Sequence, residues 1–151
     1  MPVFRFRAQV AIDLRRREYD EAQRVLGQAK RAVASADAAL ISATQRVAEA
    51  EGEAREAIAQ ACDATQRVWH RNWIVRQRQQ QARMRQQLTE RQGEERRAAQ
   101  AALRARQRLR SLERLRERQW QAHEALERRT EQRDFDTLAT LRYQGQHMAA
   151  D

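Results

Sequence analysis

The chain has 151 residues, 34% of them charged, with a formal net charge of +9 and a mean hydropathy of -0.99. Few large apolar side chains are left to build a thick core, and a single proline (Pro2) with four glycines gives too few turns for a sandwich, barrel or Rossmann sheet. No stretch approaches the roughly 18 apolar residues of a membrane span, and the lone Cys62 excludes an intrachain disulfide or a cysteine cluster for zinc.

Long helices or disorder remain, and the repeat decides between them. Ala, Arg, Glu, Gln and Leu dominate, and all favour helix. Alternating steps of three and four from Ile12 reach Arg15, Tyr19, Ala22, Leu26, Ala29, Val33, Ala36, Leu40, Ala43, Val47, Ala50, Ala54, Ala57, Ala61, Ala64 and Val68. Only Arg15 among them is neither apolar nor aromatic. Such a sustained phase is the mark of a coiled-coil seam and predicts a first helix over about 8–66. Alanines let two backbones approach closely but bury little area each, so the seam needs length.

The chain then has to turn, and the interval between the two seams places the tip at about 62–73. Neither Gly nor Pro lies there, so Asn72 is the expected helix N-cap. A second helix is predicted over about 73–143. Its seam runs through Ile74, Met84, Leu88, Ala98, Ala102, Ala105, Leu109 and Leu112, interrupted by Gln77, Gln81, Arg91 and Glu95. Gly93 beside these polar positions reads as a soft point. After Leu112 the apolar phase shifts to Leu115, Ala122 and Leu126, a stutter that Trp120 is placed to fill. Phe135, Leu138 and Leu141 follow, and Gly145 marks the expected end of regular structure before a short tail.

The expected fold is all-α: two long antiparallel helices forming an extended coiled-coil hairpin, one domain over 1–151. Each helix of about 60 residues would be on the order of 90 Å long. Ile12 and Leu14 would then lie near Leu126, with both termini at one end. The competing arrangement is one continuous helix in a parallel dimer; the hairpin predicts a monomer.

Charge is unevenly spread. Residues 1–75 carry twelve basic and ten acidic groups, 76–118 fourteen arginines against five glutamates, and 119–151 four basic and six acidic groups. Arg106, Arg110, Arg114 and Arg118 recur at four-residue spacing, with Arg104 and Arg108 beside them. Like charges so spaced destabilise a helix by a few tenths of a kcal/mol per pair, and the stripe makes sense either as a solvated face or as a surface met by an acidic partner. Nucleic acid is the other polyanion it could meet. No named nucleic-acid module is present and aromatics do not interleave with the arginines, so the sequence points to an acidic protein before nucleic acid.

No catalytic constellation is visible, and a two-helix rod offers no concave pocket for chemistry. His70, His123 and His147 are too far apart to form a helical metal pair, and His123 falls near the seam as a packed residue. The reading is a non-enzyme with no cofactor, no metal and no small-molecule substrate. Trp69 and Trp73 flank the tip. They either hold the turn together or stand out as anchors for a partner, the role in which tryptophan is enriched.

The opening Phe4-Arg5-Phe6-Arg7-Ala8-Gln9-Val10 and the following Asp13-Leu14-Arg15-Arg16-Arg17-Glu18 resemble the start of the FliJ family of flagellar type III export proteins. Trp73-Ile74 resembles that family's segment at the start of the second helix. Gln107-Arg108-Leu109, Leu112, Leu115 and Glu117-Arg118-Gln119 resemble its second-helix pattern, and Asp134-Phe135-Asp136-Thr137-Leu138-Ala139 with Arg142 its closing motif. The resemblance implies a two-helix stalk similar to the gamma subunit of rotary ATPases. Its partners would be the hexameric flagellar export ATPase, the membrane export-gate protein and export chaperones, at the cytoplasmic side of the inner membrane. Arg5, Arg7, Arg15, Arg16 and Arg17 with Phe135, Leu138 and Arg142 would form the ATPase-facing base, and Trp69, Trp73 and Ile74 would face the gate. The segment Val75–Gln80 departs from the family in lacking the further aromatics that often follow the Trp-Ile pair. The equivalent stalk of a virulence-type injectisome is the nearest alternative, and an arginine-rich helical nucleic-acid-binding protein or a purely structural coiled-coil dimer the more distant ones.

Overall fold

The computed structural model describes residues 4–148, with side chains through 142. Two helices make up the fold, α1 (Gln9–Ala59) and α2 (Ala64–Met148). No strand occurs among the described residues. The pairing is antiparallel: Arg78 of α2 meets Glu51 of α1, Gln81 meets Thr44, and Arg16 meets Glu113. Numbers rise on one helix as they fall on the other.

The expected all-α fold of two long antiparallel helices is what forms, but its turn lies earlier than the seams suggest. α1 ends at Ala59, not near 66, and α2 begins at Ala64, not 73. The chain reverses between them, which overturns the single continuous helix. Asn72 caps nothing and sits exposed within α2. The turn is made by two local motifs instead. The amide of Cys62 donates to the Ala57 carbonyl at 3.1 Å and that of Ala61 to Ile58 at 3.0 Å, the pattern of a Schellman C-cap. Ala61 takes the left-handed residue of that motif, at φ 58°. Asp63 then caps α2, bonded reciprocally with Gln66.

The chain divides by its contacts into two units, residues 18–105 and residues 1–17 with 106–151. In the first, the buried apolar side chains are Ala43, Val47 and Ala50 of α1 and Ala98 and Ala102 of α2. Every predicted seam position of α1 from Ile12 to Ala57 is at least half-buried, and exposure begins at Ala61, beyond the helix end. On α2 the polar interruptions Gln77, Gln81 and Glu95 also turn inward. Gln81 Nε2 donates to Thr44 Oγ1 across the helices at 3.0 Å, so its amide is satisfied there. α2 runs unbroken through Gly93.

In the second unit Ile12 is 1% exposed and Leu109 8%. Phe4, ahead of α1, sets its ring edge-on to Trp120 at 5.3 Å and to His123 at 5.5 Å. The stutter does not occur. Leu115, Ala122 and Leu126 face solvent, and beyond Leu112 the half-buried positions of α2 are His123, Glu124 and Glu127. Trp120 fills no gap between seams but packs on Phe4 and His123. Ile12 does not reach Leu126, since Arg16 already faces Glu113. An earlier turn slides each partner by twice the displacement of the turn, and that moves the opposite residue toward the middle of α2. Gly145 does not end the helix, which continues to Met148. The tail expected beyond about residue 143 is therefore helical as far as Met148, and its last residues, 149–151, lie outside the described residues.

Candidate functional site

In the unit of residues 18–105, the start of α2 carries the two tryptophans expected near the tip. Trp69 and Trp73 are four residues apart on one helical face and stack, with ring centroids 6.0 Å apart and planes 12° from parallel. They are 57% and 37% exposed, with Val68 and Val75 exposed beside them. The turn is held by its own backbone and by Asp63, so these rings are left over as surface rather than spent on closing the tip.

Ile74 points another way. It lines a cleft of about 320 Å³ with Ala54, Ile58, Cys62, His70 and Val75, rimmed by Arg67, Arg71 and Arg78. The small side chain of Ala54 leaves part of that space unfilled. Arg67 is engaged there, its guanidinium donating twice to the Cys62 carbonyl at 3.1–3.2 Å, and Arg78 holds Glu51 at 2.7 Å. His70 Nδ1 is buried without a hydrogen-bond partner. Sequence reasoning missed this cleft. Its only advance signal was the run of alanines at the end of the α1 seam.

In the other unit the expected base is not one cluster. Arg5, Arg7, Arg16 and Arg17 are exposed and Arg15 is half-buried. Arg16 Nη2 lies 3.7 Å from a Glu113 oxygen. Phe4 meets the rings of Trp120 and His123 on α2. Phe135 lies twelve residues further, about 18 Å along the helix. From residue 128 to 142 every α2 side chain is exposed, so Phe135 (68%), Leu138 (55%), Leu141 and Arg142 stand clear of the N-terminal arginines. The predicted base is split: Arg16 meets α2 at Glu113, while Phe135, Leu138 and Arg142 lie on a largely polar, exposed stretch beyond residue 127.

The basic stripe is real as a surface. Arg106, Arg108, Arg110, Arg114 and Arg118 are all exposed in this unit, while Arg104 belongs to the other. The two glutamates within 106–118 are occupied elsewhere, Glu113 by Arg16 and Glu117 by the Gln121 amide at 2.9 Å. His123 Nδ1 is buried, without a hydrogen bond and 3.6 Å from Glu127 Oε2. No three potential metal ligands come together among the described residues, and the His147 side chain lies outside them. What these surfaces offer is binding chemistry: exposed rings and leucines, and the exposed guanidinium groups of Arg106, Arg110, Arg114 and Arg118.

Compared with protein-family models, with curated proteins and with solved structures, the chain matches none. Among the described residues no helix is long and apolar enough to cross a membrane.

Proposed function

We propose that this chain is the stalk component of flagellar type III protein export, a non-catalytic helical protein that binds the hexameric export ATPase, promotes its activity and links it to the membrane export gate, with a part in chaperone escort. The terminal sequence runs around Phe4–Glu18 and Asp134–Arg142 support this reading through their resemblance to the FliJ family.

The observation that carries it is the bare stretch of α2 beyond residue 127. Phe135, Leu138 and Leu141 are each more than half exposed on a helix with no α1 residue described opposite them. A helix with exposed apolar side chains and no packing partner among the described residues fits a protein that binds inside another. The stacked Trp69 and Trp73 fit a second apolar contact, which in this reading is the gate. Each arginine near the start of α1 would add attraction to acidic ring subunits, and that attraction would weaken with salt. In this reading the chain works in the cytoplasm, at the periphery of the inner membrane, as a monomer. It biases ring conformations and forms no bonds in the reaction.

The test is ATP hydrolysis by the cognate export ATPase with and without the chain. Stimulation is expected, with loss when Arg5, Arg7, Arg15, Arg16 and Arg17 become alanine and loss again when Phe135 and Leu138 do. A ring-competent ATPase that does not respond to the native chain would end the stalk reading.

A further inference from the structure

The arginine row on α2 has a geometry of its own. Arg106, Arg110, Arg114 and Arg118 follow one another at four-residue steps, each rising about 6 Å and turning about 40° around the helix. The row therefore climbs across the face turned away from Leu109 and Leu112, as a single ridge about 18 Å long. All four side chains are exposed. Among the described residues, the one side-chain hydrogen bond these four make is local, from Arg118 Nε to the Arg114 carbonyl. The nearby acids Glu113 and Glu117 bond Arg16 and Gln121 instead. Four like charges along one ridge repel, and none of the four forms an ion pair among the described residues.

We infer that this ridge is a docking surface for a protein helix that carries carboxylates at the same four-residue spacing. A second α-helix presents acidic side chains with the same 6 Å rise, and i±4 ridges of two helices lie along each other at a crossing of about 50°. Guanidinium and carboxylate match in fork geometry. The chain already uses this pairing between helices, in Arg78 with Glu51 and Arg16 with Glu113. A duplex is less favoured, since no named nucleic-acid module accompanies the row. Single strands need rings between the charges, and the nearest ring, Trp120, is packed against Phe4 and His123. The inference stands apart from the stalk reading, because it needs no ATPase and no export gate.

The experiment measures binding to the full chain by fluorescence anisotropy, with three probes at two salt concentrations. The first is a synthetic helical peptide with glutamate at every fourth position of an alanine-glutamine background. The second has the same composition in scrambled order. The third is a mixed-sequence DNA duplex of about 20 base pairs, long enough to cover the ridge. The laddered peptide is expected to bind about tenfold more tightly than the scrambled one, a preference of about 1.4 kcal/mol that four exposed ion pairs can supply. The preference should vanish when Arg106, Arg110, Arg114 and Arg118 become glutamine. It should persist when Arg31, Arg46, Arg76 and Arg83 are changed instead, with circular dichroism confirming the helix in both variants. Equal binding of the two peptides would overturn the inference, and so would a preference that survives loss of the ridge. Tighter binding of the duplex, lost with the ridge, would overturn it in favour of phosphate.

Discussion

Asp63 and Gln66 close on each other at the start of α2. The Gln66 amide donates to the Asp63 carboxylate at 2.8 Å, and the Asp63 amide donates to the Gln66 side-chain oxygen at 3.1 Å. Two of the amides that a helix start leaves without partners are thereby satisfied. The pair also sets where α2 begins, and so which residues of the two helices meet.

Asp63→Ala removes the acceptor and leaves the Gln66 amide to water. The expected loss is about 1 kcal/mol of unfolding free energy, with Asp63→Ser or Asp63→Asn recovering most of it. Urea titration followed by circular dichroism reads this directly. An alanine variant as stable as the native chain would mean that the cap does not hold the turn.

Ala61 gives the opposite sign. At φ 58° its Cβ crowds the following carbonyl, a cost of about 1–2 kcal/mol that glycine does not carry. Glycine's greater freedom in the unfolded chain takes part of that back. Ala61→Gly is therefore expected to raise the urea midpoint, by about 0.5–1 kcal/mol in free energy. A fall in the midpoint would argue against a left-handed residue there.

These two residues also explain what could be read in advance. The seam from Ile12 to Ala57 was legible because each position repeats the same demand for a small or apolar side chain, and fourteen consecutive seam positions turn inward. The turn was not, because the left-handed position is filled by alanine, which carries no turn signal. Asp63-Ala64-Thr65-Gln66 did carry one, an acid followed three residues later by glutamine, but the apolar phase runs on through Ala61, Ala64 and Val68 and masks it. The candidate surfaces divide in the same way. That Trp69 and Trp73 lie close to the tip was legible from their positions, but which of their two readings applies was not. The split of the predicted base was not, because it follows from the register, and the register follows from the turn.

Ala50 tests how tightly the helices approach. It is 1% exposed, at the inner face of α1. Ala50→Leu adds three carbons where the seam is built for a methyl group, and overpacking of this kind costs about 1–3 kcal/mol. Ala50→Ser should cost less, since it keeps the size. The check is the thermal midpoint of both variants at equal concentration. If leucine stabilises the chain instead, the helices part more readily than an alanine seam implies.

Arg78 and Glu51 make the shortest described contact between the helices, 2.7 Å, but both side chains remain more than a third exposed. Exposed pairs contribute about 0.2–1 kcal/mol. A double-mutant cycle with Arg78→Gln and Glu51→Gln should return a coupling in that range, shrinking in high salt. A coupling of several kcal/mol would be inconsistent with a solvated pair.

Phe4 holds the segment before α1 against α2, with its ring edge on both Trp120 and His123. The chain has three tryptophans, so a background of Trp69→Phe and Trp73→Phe leaves Trp120 as the sole indole reporter. Adding Phe4→Ala there uncovers one side of that indole. Its emission should shift to the red and its quenching by acrylamide should rise. The loss of stability should be modest, since an aromatic pair adds about 0.5–1.5 kcal/mol beyond the area it buries and Trp120 is already 46% exposed. Phe4→Leu separates the two contributions. It restores apolar cover without the edge-to-face geometry, so the emission should return toward native while part of the stability stays lost. If Phe4→Ala leaves the Trp120 spectrum unchanged, the N-terminal segment does not rest on α2 in solution, and Arg5 and Arg7 are not held beside that helix.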